Sequence, residues 1–514
     1  MSTQNAASSK KIDLQKLAPD VPGVPQLQVE AIAIDSRRVT RGTLFIALAG
    51  IQADGHDYID AAIANGAVAV FAERPVVDCA VPIVVLGDLA SRVSQIAGEF
   101  FGHPSSKLAC VAVTGTNGKT SVAHFVASLA HQLGIKAGFL GTTGWGLIGT
   151  GRPLAPAALT TADAVSLQER LLQLESDGCE LVALELSSHA LQQHRGDALH
   201  LDVALFTNLT RDHLDYHGSM EAYGAAKARL FEFPGLQGVV VNADDSFGEM
   251  LAKRCAANAK SDQVCLSLVN STASASDTKS ESATGMKISA QVSHSKGMNW
   301  QLESPWGSAE IKTPVIGSYN ALNLSLAVGA LALLGHDLQR IAEAVPAVAA
   351  PTGRLQPVSA DTELDFAVFV DYAHTADALV SVLSAARAHC SGRLICVFGC
   401  GGDRDKGKRA PMGQAVEQFA DVGVLTSDNP RFEDPLAIIA DVESGLSADH
   451  QIQVQPDRKA AIALAIENAR VDDVVIITGK GHEDYQDING KRMPFDDLVI
   501  AREQLQHRAA GGAA

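Results

Sequence analysis

The sequence predicts an α/β chain of three domains, and three observations carry that prediction. Its 514 residues exceed what a single core holds, since a domain averages about 150 residues. Apolar residues make up 46% and charged residues 19%, the balance of a globular chain rather than a disordered one. From residue 108 onward, short apolar runs alternate with helical stretches, the pattern of parallel sheets covered on both faces.

Residues 1–107 form the expected small N-terminal α/β domain. Strands are predicted at Ala31–Ile34, Thr43–Leu48, Val68–Phe71 and Ile83–Leu86, with a helix near Tyr58–Ala64 and turn signals at Gly50 and Asp54-Gly55. His103-Pro104-Ser105-Ser106 reads as a linker. Residues 108–350 form the expected central domain, with strands at Leu108–Thr114, Leu181–Leu186, Val203–Asn208 and Gly238–Asn242 and a helix at Ser121–Leu133. The segment from Asn270 to Gly285 is rich in Ser, Thr and Ala without apolar period and reads as a surface loop, to which no function is assigned. Residues 351–514 repeat the alternation: strands at Ala367–Val370, Leu394–Phe398, Val422–Thr426 and Val474–Thr478, helices at Ala376–His389, Leu436–Leu446 and Lys459–Ala469. That is a Rossmann-like sheet, in which ligands gather at the carboxyl ends of the strands.

A net charge of −17 argues against a general nucleic-acid or anionic-membrane binder, although a local basic site still admits an anionic substrate. The N-terminus is polar and lacks the apolar core of a signal peptide. The most apolar stretch, Ala321–Leu334, is interrupted by Asn323 and Ser325 and reads as a buried helix, not a membrane span. A cytoplasmic protein without membrane insertion is expected. The eight cysteines are scattered and form no CxxC pair, so reduced thiols are favoured over a zinc site.

The chemistry begins at Val113-Thr-Gly115-Thr116-Asn117-Gly118-Lys119-Thr120-Ser121, between a predicted strand and a predicted helix. Glycines let backbone N–H groups approach phosphate oxygens, and the helix N-terminus adds positive partial charge. Lys119 is placed to reach the β and γ phosphates of ATP, and the Thr120 hydroxyl to ligate Mg²⁺. The full Walker spacing asks for glycine at 113, where Val stands, so this is a shortened GxxGK[ST] loop. The bland alternative, a glycine turn capping an ordinary helix, suits the strand–loop–helix context less well. Glu185 ends a predicted strand, where a carboxylate can hold Mg²⁺ or simply cap or pair. His213 alone would be a hydrogen-bonded structural histidine; it gains weight by facing the same crevice as Glu185 and Lys119.

Taken in order, Gly115–Ser121, Glu185-Leu-Ser-Ser-His189, Asn208-Leu-Thr-Arg-Asp-His213, Gly317-Ser-Tyr-Asn-Ala-Leu-Asn323, Asp371-Tyr-Ala-His374, Gly399-Cys-Gly-Gly-Asp-Arg404 and Gly479-Lys-Gly-His-Glu483 resemble the Mur ligases, from about Asp35 to Arg502. The resemblance implies an ATP- and Mg²⁺-dependent amide ligase of peptidoglycan precursor synthesis, hence of cell wall biogenesis, cell shape and cell division. It implies that ATP phosphorylates the D-glutamate γ-carboxylate of UDP-N-acetylmuramoyl-L-alanyl-D-glutamate and that the amine of meso-diaminopimelate then displaces phosphate.

Residue by residue, the resemblance implies catalytic roles for Lys119, Glu185, His213 and Lys227. The metals fall to Thr120 and Glu185 and to His213 with Lys227, the last as a carbamylated lysine, although by itself it is an ordinary helix lysine. Asn320, Arg354 and Asp371 would join the phosphate loop on the nucleotide. Ile34, Ser36, Ile51, Gln52, Ala53, Thr160, Thr161, Ser187, Gln193 and Arg195 would hold the UDP-linked precursor; Leu159 stands where close relatives commonly carry Asn. Arg404, Asp428, Asn429, Pro430, Arg431, Gly479 and Glu483 would form the diamino-acid pocket, with the Arg431 fork on the second carboxylate of diaminopimelate. A lysine-adding sister ligase, a folylpolyglutamate synthetase-like ligase and a nucleotide switch are the rivals. Arg431 speaks against the first, the N-terminal domain against the second, and the C-terminal pocket residues against the third.

Overall fold

The computed structural model describes residues 11–50, 53–258, 263–270, 285–294, 297–358, 364–449 and 451–511. They divide into two compact units. The first holds residues 1–119, 134–241 and 245–265; the second holds 120–133, 242–244 and 266–514.

The first unit opens on a four-stranded parallel sheet of β1 (Ala31–Ala33), β2 (Thr43–Ala47), β3 (Ala67–Ala72) and β4 (Ile83–Val85), in that spatial order. Period-two alternation sends Leu44 and Ile46 to one face and Phe45 and Ala47 to the other. The second face packs on Ile59 and Ala62 of helix α1 (Ile59–Ala64), the first on Val93 and Ile96 of helix α2 (Leu89–Phe101). Both faces are therefore covered, which is why these strands read as unbroken apolar runs.

The unit's second sheet contains β5 (Ala109–Thr114), β6 (Ala137–Gly141), β7 (Gly144–Leu147), β8 (Leu181–Glu185), β9 (Val203–Phe206) and β10 (Gly238–Asn242). Their spatial order is β10-β9-β5-β8-β6-β7, parallel except for the β6–β7 hairpin. Helix α3 (Lys119–Gln132) follows the loop after β5, and helix α4 (Ala164–Ser176) precedes β8. Leu167, Leu171 and Leu174 of α4 join Cys110, Ala112, Val182 and Leu184 in one core. Burial of each such leucine contributes about 1.5–3 kcal/mol. Strand β5 lies between β8 and β9, neither its neighbour in sequence, so the chain leaves β5 in a crevice at the sheet's carboxyl edge.

The second unit carries β11 (Val264–Asn270) from Leu266 onward, β12 (Met286–His294), β13 (Gly297–Ser304) and β14 (Gly307–Thr313), with β11 and β12 parallel and the other pairs antiparallel. The Trp300 indole N–H on β13 donates to Ser325 Oγ at 3.1 Å, on helix α6 (Ser318–Leu333), once helix α5 (Met220–Ala228) of the first unit is counted. A doubly wound sheet follows: β15 (Ala367–Asp371), β16 (Leu394–Phe398), β17 (Val422–Leu425), β18 (Ile452–Val454) and β19 (Val474–Thr478), parallel in spatial order β15-β19-β16-β17-β18, with the short strand Gln356–Pro357 antiparallel at the β15 edge.

Some sequence expectations change. Pro104–Lys107 is a packed 3₁₀ turn, not a loose linker: Ser105 is buried and its hydroxyl accepts the His200 N–H at 3.0 Å. Strands β12 to β14 and the hairpin Tyr485–Ile488/Lys491–Pro494 have no counterpart in the sequence reading. Ile51, Gln52 and residues 271–284 lie outside the described residues. Among the described residues all eight cysteines are free, and no helix is long and apolar enough to cross a membrane.

Candidate active site

The loop after β5 is shaped by what surrounds it. Gly115 has φ +148°, and a Cβ there would stand 1.8 Å from Thr207 Oγ1, so only glycine fits. The loop is clamped to the segment following β9. Thr116 N–H donates to Asn208 O at 2.8 Å and Asn117 N–H to Asn208 Oδ1 at 2.9 Å, while Thr207 Oγ1 donates to Asn117 O at 2.6 Å. Lys119 folds back over this loop, its ammonium donating to the carbonyls of Gly115 and Thr116 at 3.0 and 2.9 Å. Thr120 and Ser121 continue into the first turn of α3, Thr120 buried.

Two further groups reach this edge of the sheet. Glu185, the last residue of β8, is 1% exposed and accepts from Thr142 N–H at 2.8 Å and Thr142 Oγ1 at 3.2 Å. Lys227 on α5 is equally buried and donates to Gly115 O at 2.7 Å. Its Nζ lies 4.3 Å from the centroid of the Tyr223 ring, one helical turn earlier. Burial, then the nearby Lys119 cation, pushes the Lys227 pKa down to about 6. Tyr223 OH lies 3.1 Å from Thr116 Oγ1, tying the helix of Lys227 to the loop. His213 is exposed at φ 51°, its ring 4.8 Å from that of His189.

The residues expected to hold the precursor fall in two groups. Thr161 Oγ1 donates to Glu185 O at 2.8 Å and accepts the Ser187 N–H at 3.0 Å, and Arg195 donates to Thr161 O at 2.9 Å. Arg195 also pairs with Gln193 Oε1, and Gln193 donates to Tyr216 OH at 3.0 Å. Thr160 accepts from Thr142 Oγ1 at 3.1 Å. These five form one hydrogen-bonded group around Glu185. Ile34 and Ser36 follow β1 and Ala53 follows β2, so they share the carboxyl edge of the N-terminal sheet. Leu159 is exposed.

In the second unit, Asp371 ends β15 and accepts the N–H groups of Leu355 and Ala373, each at 2.8 Å. Burial raises its pKa, partly offset by the charge of Arg354. Arg354 itself lies over the Tyr372 ring, 5.0 Å from its centroid. Asn320, in the first turn of α6, is buried and donates to Ile316 O at 2.8 Å. Asp428 to Arg431 follow β17 and Gly479 follows β19, at one sheet edge. Gly479 has φ +114°, and a Cβ there would lie 2.3 Å from Asp428 Oδ2. Asn429 donates to Glu483 Oε2 at 2.8 Å, and Arg431 Nη1 to Gly402 O at 2.6 Å. Pro430 is buried beside them, whereas Arg404 is exposed.

Sequence reasoning passed over Thr142, Asn208, Tyr223 and Lys480. The last three sit inside or near the motifs: Asn208 in the segment leading to His213, Tyr223 four residues before Lys227, and Lys480 next to Gly479. Thr142 carried no signal beyond following a short apolar run. Among the described residues no three His, Cys, Asp or Glu side chains converge as a metal-binding set. The donors expected for Mg²⁺ are hard oxygens, the Glu185 carboxylate and the Thr120 hydroxyl. They suit an ion that takes one or two protein ligands and completes its shell with phosphate and water.

Comparison with known proteins defines the class. Three family models match in succession: Mur ligase family, catalytic domain, at residues 28–98; Mur ligase middle domain at 113–331; and Mur ligase, glutamate ligase domain, at 353–481. The chain belongs to the Mur ligase family. It is 45% identical over 482 residues, 93% of this chain and 95% of the other, to UDP-N-acetylmuramoyl-L-alanyl-D-glutamate–2,6-diaminopimelate ligase of Ectopseudomonas mendocina (strain ymp). A solved structure bearing the same enzyme name superposes with a TM-score of 0.74 at 36% identity, covering 97% of this chain and 100% of that one. The MurF ligase of Thermotoga maritima, solved in complex with ADP, shares the fold at a TM-score of 0.59 and 17% identity, covering 93% and 98%.

Proposed function

We propose that this chain is an ATP-dependent amide ligase that joins meso-2,6-diaminopimelate to UDP-N-acetylmuramoyl-L-alanyl-D-glutamate in peptidoglycan precursor synthesis. The observation that carries the reading is the pairing, in one chain, of a phosphate loop flanked by Glu185 and Lys227 with a pocket where Asp428–Arg431 meets Gly479 and Glu483. The likeness to enzymes of that name extends over nearly the whole chain. Residues 1–107 then serve the UDP-linked precursor, 108–350 ATP and 351–514 the diamino acid.

In this reading the loop from Gly115 to Ser121 wraps the ATP phosphates, with the N–H groups of Gly118 to Ser121 turned to them while those of Thr116 and Asn117 stay on Asn208, and Lys119 leaves its own loop carbonyls to pair with them. Asn320, Arg354 and Asp371 contact the nucleotide. The precursor is held by Ile34, Ser36, Ile51, Gln52, Ala53, Thr160, Thr161, Ser187, Gln193 and Arg195. Its D-glutamate γ-carboxylate attacks the γ-phosphorus and ADP leaves, giving an acyl phosphate. The amine of the diamino acid then attacks the acyl carbon, and the tetrahedral adduct collapses to amide with loss of phosphate. Two anions must meet in the first stage, so cations have to offset their repulsion. Thr120, Glu185, His213 and Lys227 would hold Mg²⁺, which when bound supplies positive charge to the phosphate oxygens. Lys227 suits a carbamate, because a lysine with a pKa of about 6 is largely the neutral amine that adds CO₂. Arg431 takes the distal carboxylate of diaminopimelate, with Arg404, Asp428, Asn429, Pro430, Gly479 and Glu483 completing the pocket.

The test is phosphate release in the presence of ATP, Mg²⁺ and the UDP-linked dipeptide, with meso-diaminopimelate or L-lysine as acceptor. Release is expected with the first and to be near background with the second. Release with L-lysine alone would overturn the specificity, and hydrolysis independent of any amino acid would favour a nucleotide switch.

A further inference from the structure

We propose that Lys480 is a positioning residue: it dictates which way the Asn429 amide and the Glu483 carboxylate point, and so sets the recognition face of the amino-acid pocket. The inference rests on reading Asp428–Arg431 as that pocket.

Lys480 follows Gly479 at the end of β19 and is fully buried, at 0% exposure. Its Nζ stands 3.1 Å from Asn429 Oδ1 and 3.2 Å from Glu483 Oε2. An ammonium group donates three hydrogens and accepts none, so the Asn429 atom facing it has to be the carbonyl oxygen. The Asp487 N–H donates to the same oxygen at 2.9 Å. With Oδ1 committed to two donors, the Asn429 NH₂ turns the other way and donates to Glu483 Oε2 at 2.8 Å. Glu483 Oε2 in turn receives both Lys480 and Asn429.

What this leaves for a ligand is specific in kind. Asn429 keeps its second N–H, Glu483 keeps Oε1, and Arg431 keeps the part of its guanidinium not donated to Gly402 O. Two donors for a carboxylate beside an acceptor for an ammonium match the head group of an α-amino acid. A flipped Asn429 would turn its carbonyl toward the incoming carboxylate and repel it. Lys480 forbids that flip, because the amide NH₂ would then face the ammonium. A substrate that ends in an ammonium alone leaves these donors unpaired, which is the costly mismatch in polar recognition.

The experiment compares wild type with Lys480→Met, which removes the donor while keeping a similar volume. The KM for meso-diaminopimelate is expected to rise about tenfold or more, with discrimination against L-lysine falling by a similar factor. The KM values for ATP and the UDP-linked dipeptide should stay within about twofold, a split that general destabilisation would not produce. In a double-mutant cycle, Lys480→Met combined with Asn429→Ala should lose no more than Asn429→Ala alone, since one acts through the other. Multiplicative losses, or equal rises in all three KM values, would overturn the assignment. Should Lys480→Met fail to fold, Lys480→Gln retains one donor and should recover part of the discrimination; no recovery counts against the mechanism. Wild type that uses L-lysine in place of meso-diaminopimelate would overturn the pocket reading itself. Wild type that uses meso-diaminopimelate with unchanged kinetics in Lys480→Met overturns only the role of Lys480.

Discussion

Lys227 and Lys480 are both withdrawn from solvent, at 1% and 0% exposure, and each stands beside a loop that follows a central strand of a parallel sheet. Each also has an aromatic ring nearby, Tyr485 for Lys480 and Tyr223 for Lys227, but their hydrogen-bond partners differ. Lys480 has the Glu483 carboxylate at 3.2 Å. Lys227 donates to a carbonyl, lies over an aromatic ring and has a second cation, Lys119, in its field. Lys480 Nζ is held between Asn429 Oδ1 and Glu483 Oε2, the position of a fixed donor. Burial, then the Lys119 cation, pushes the Lys227 pKa down to about 6, so near pH 7 it is largely a neutral amine, the form that a nucleophilic role requires. Burial alone therefore does not tell a strut from a reactive group; the directly hydrogen-bonded partners do, a carboxylate and an amide oxygen for Lys480 and a backbone carbonyl for Lys227.

The sharpest way to break this comparison is Lys227→Met. If Lys227 carries a carbamate, activity should fall by about a thousandfold, on the scale of losing an essential electrostatic group. Added bicarbonate should leave the variant's residual rate unchanged while it sustains the wild type. Wild-type turnover in the variant, measured as phosphate release, would place Lys227 with the struts. Arg431→Ala comes next. Its kcat/KM for meso-diaminopimelate should drop about a hundredfold, while the KM for ATP stays within about twofold. Equal loss in both would show that Arg431 only supports the fold.

Gly115→Ala tests the other side of Lys227, the carbonyl to which it donates. The added Cβ has no room beside Thr207 Oγ1, so the loop must shift and carry Gly115 O with it. The KM for ATP is expected to rise about tenfold, with a strain cost of about 1–3 kcal/mol in unfolding free energy. A variant with unchanged ATP kinetics would mean that the loop tolerates a geometry this structure does not contain.

The sequence made the phosphate loop and the C-terminal strand ends legible because both depend on residue types with narrow physical uses. Gly115 and Gly479 stand where backbone and side chain approach too closely for any other residue, and buried strands such as Leu394–Phe398 and Val474–Thr478 are continuous apolar runs. Strands β12 to β14 escaped because one face is exposed and their alternation includes Ser, Gln and Lys, with β12 also irregular in register between Ser289 and Val292. Thr142 and Lys480 escaped for another reason. A threonine after a short strand, or a lysine between two glycines, acquires meaning only from partners 43 residues away at Glu185 and 51 away at Asn429. Lys227 shows the same limit in reverse: without Gly115 and Tyr223 beside it, it is one helix lysine among many.

His389 offers the smallest and last of these tests, because it is a buried titratable group with both ring nitrogens engaged. Nδ1–H donates to His294 O at 2.8 Å, and Nε2 accepts the Gly317 N–H at 2.9 Å, just ahead of the helix that carries Asn320. That arrangement requires the neutral ring, and burial lowers its pKa below 6.5. As pH falls through 6.5 the unfolded chain takes up the proton first, so in the window between that value and the lowered folded one stability declines with falling pH. The loss should stay below about 1.4 kcal/mol per pH unit, the limit for one group. Denaturant unfolding of wild type and His389→Gln at pH 7.5 and pH 5.5, both chosen to bracket about one unit on either side of an ordinary histidine pKa, reads this directly. The wild-type advantage should shrink at the lower pH because glutamine does not titrate. A gap that stays constant would mean His389 holds its proton equally in both states, and that two engaged nitrogens do not suffice to mark a buried group as structural.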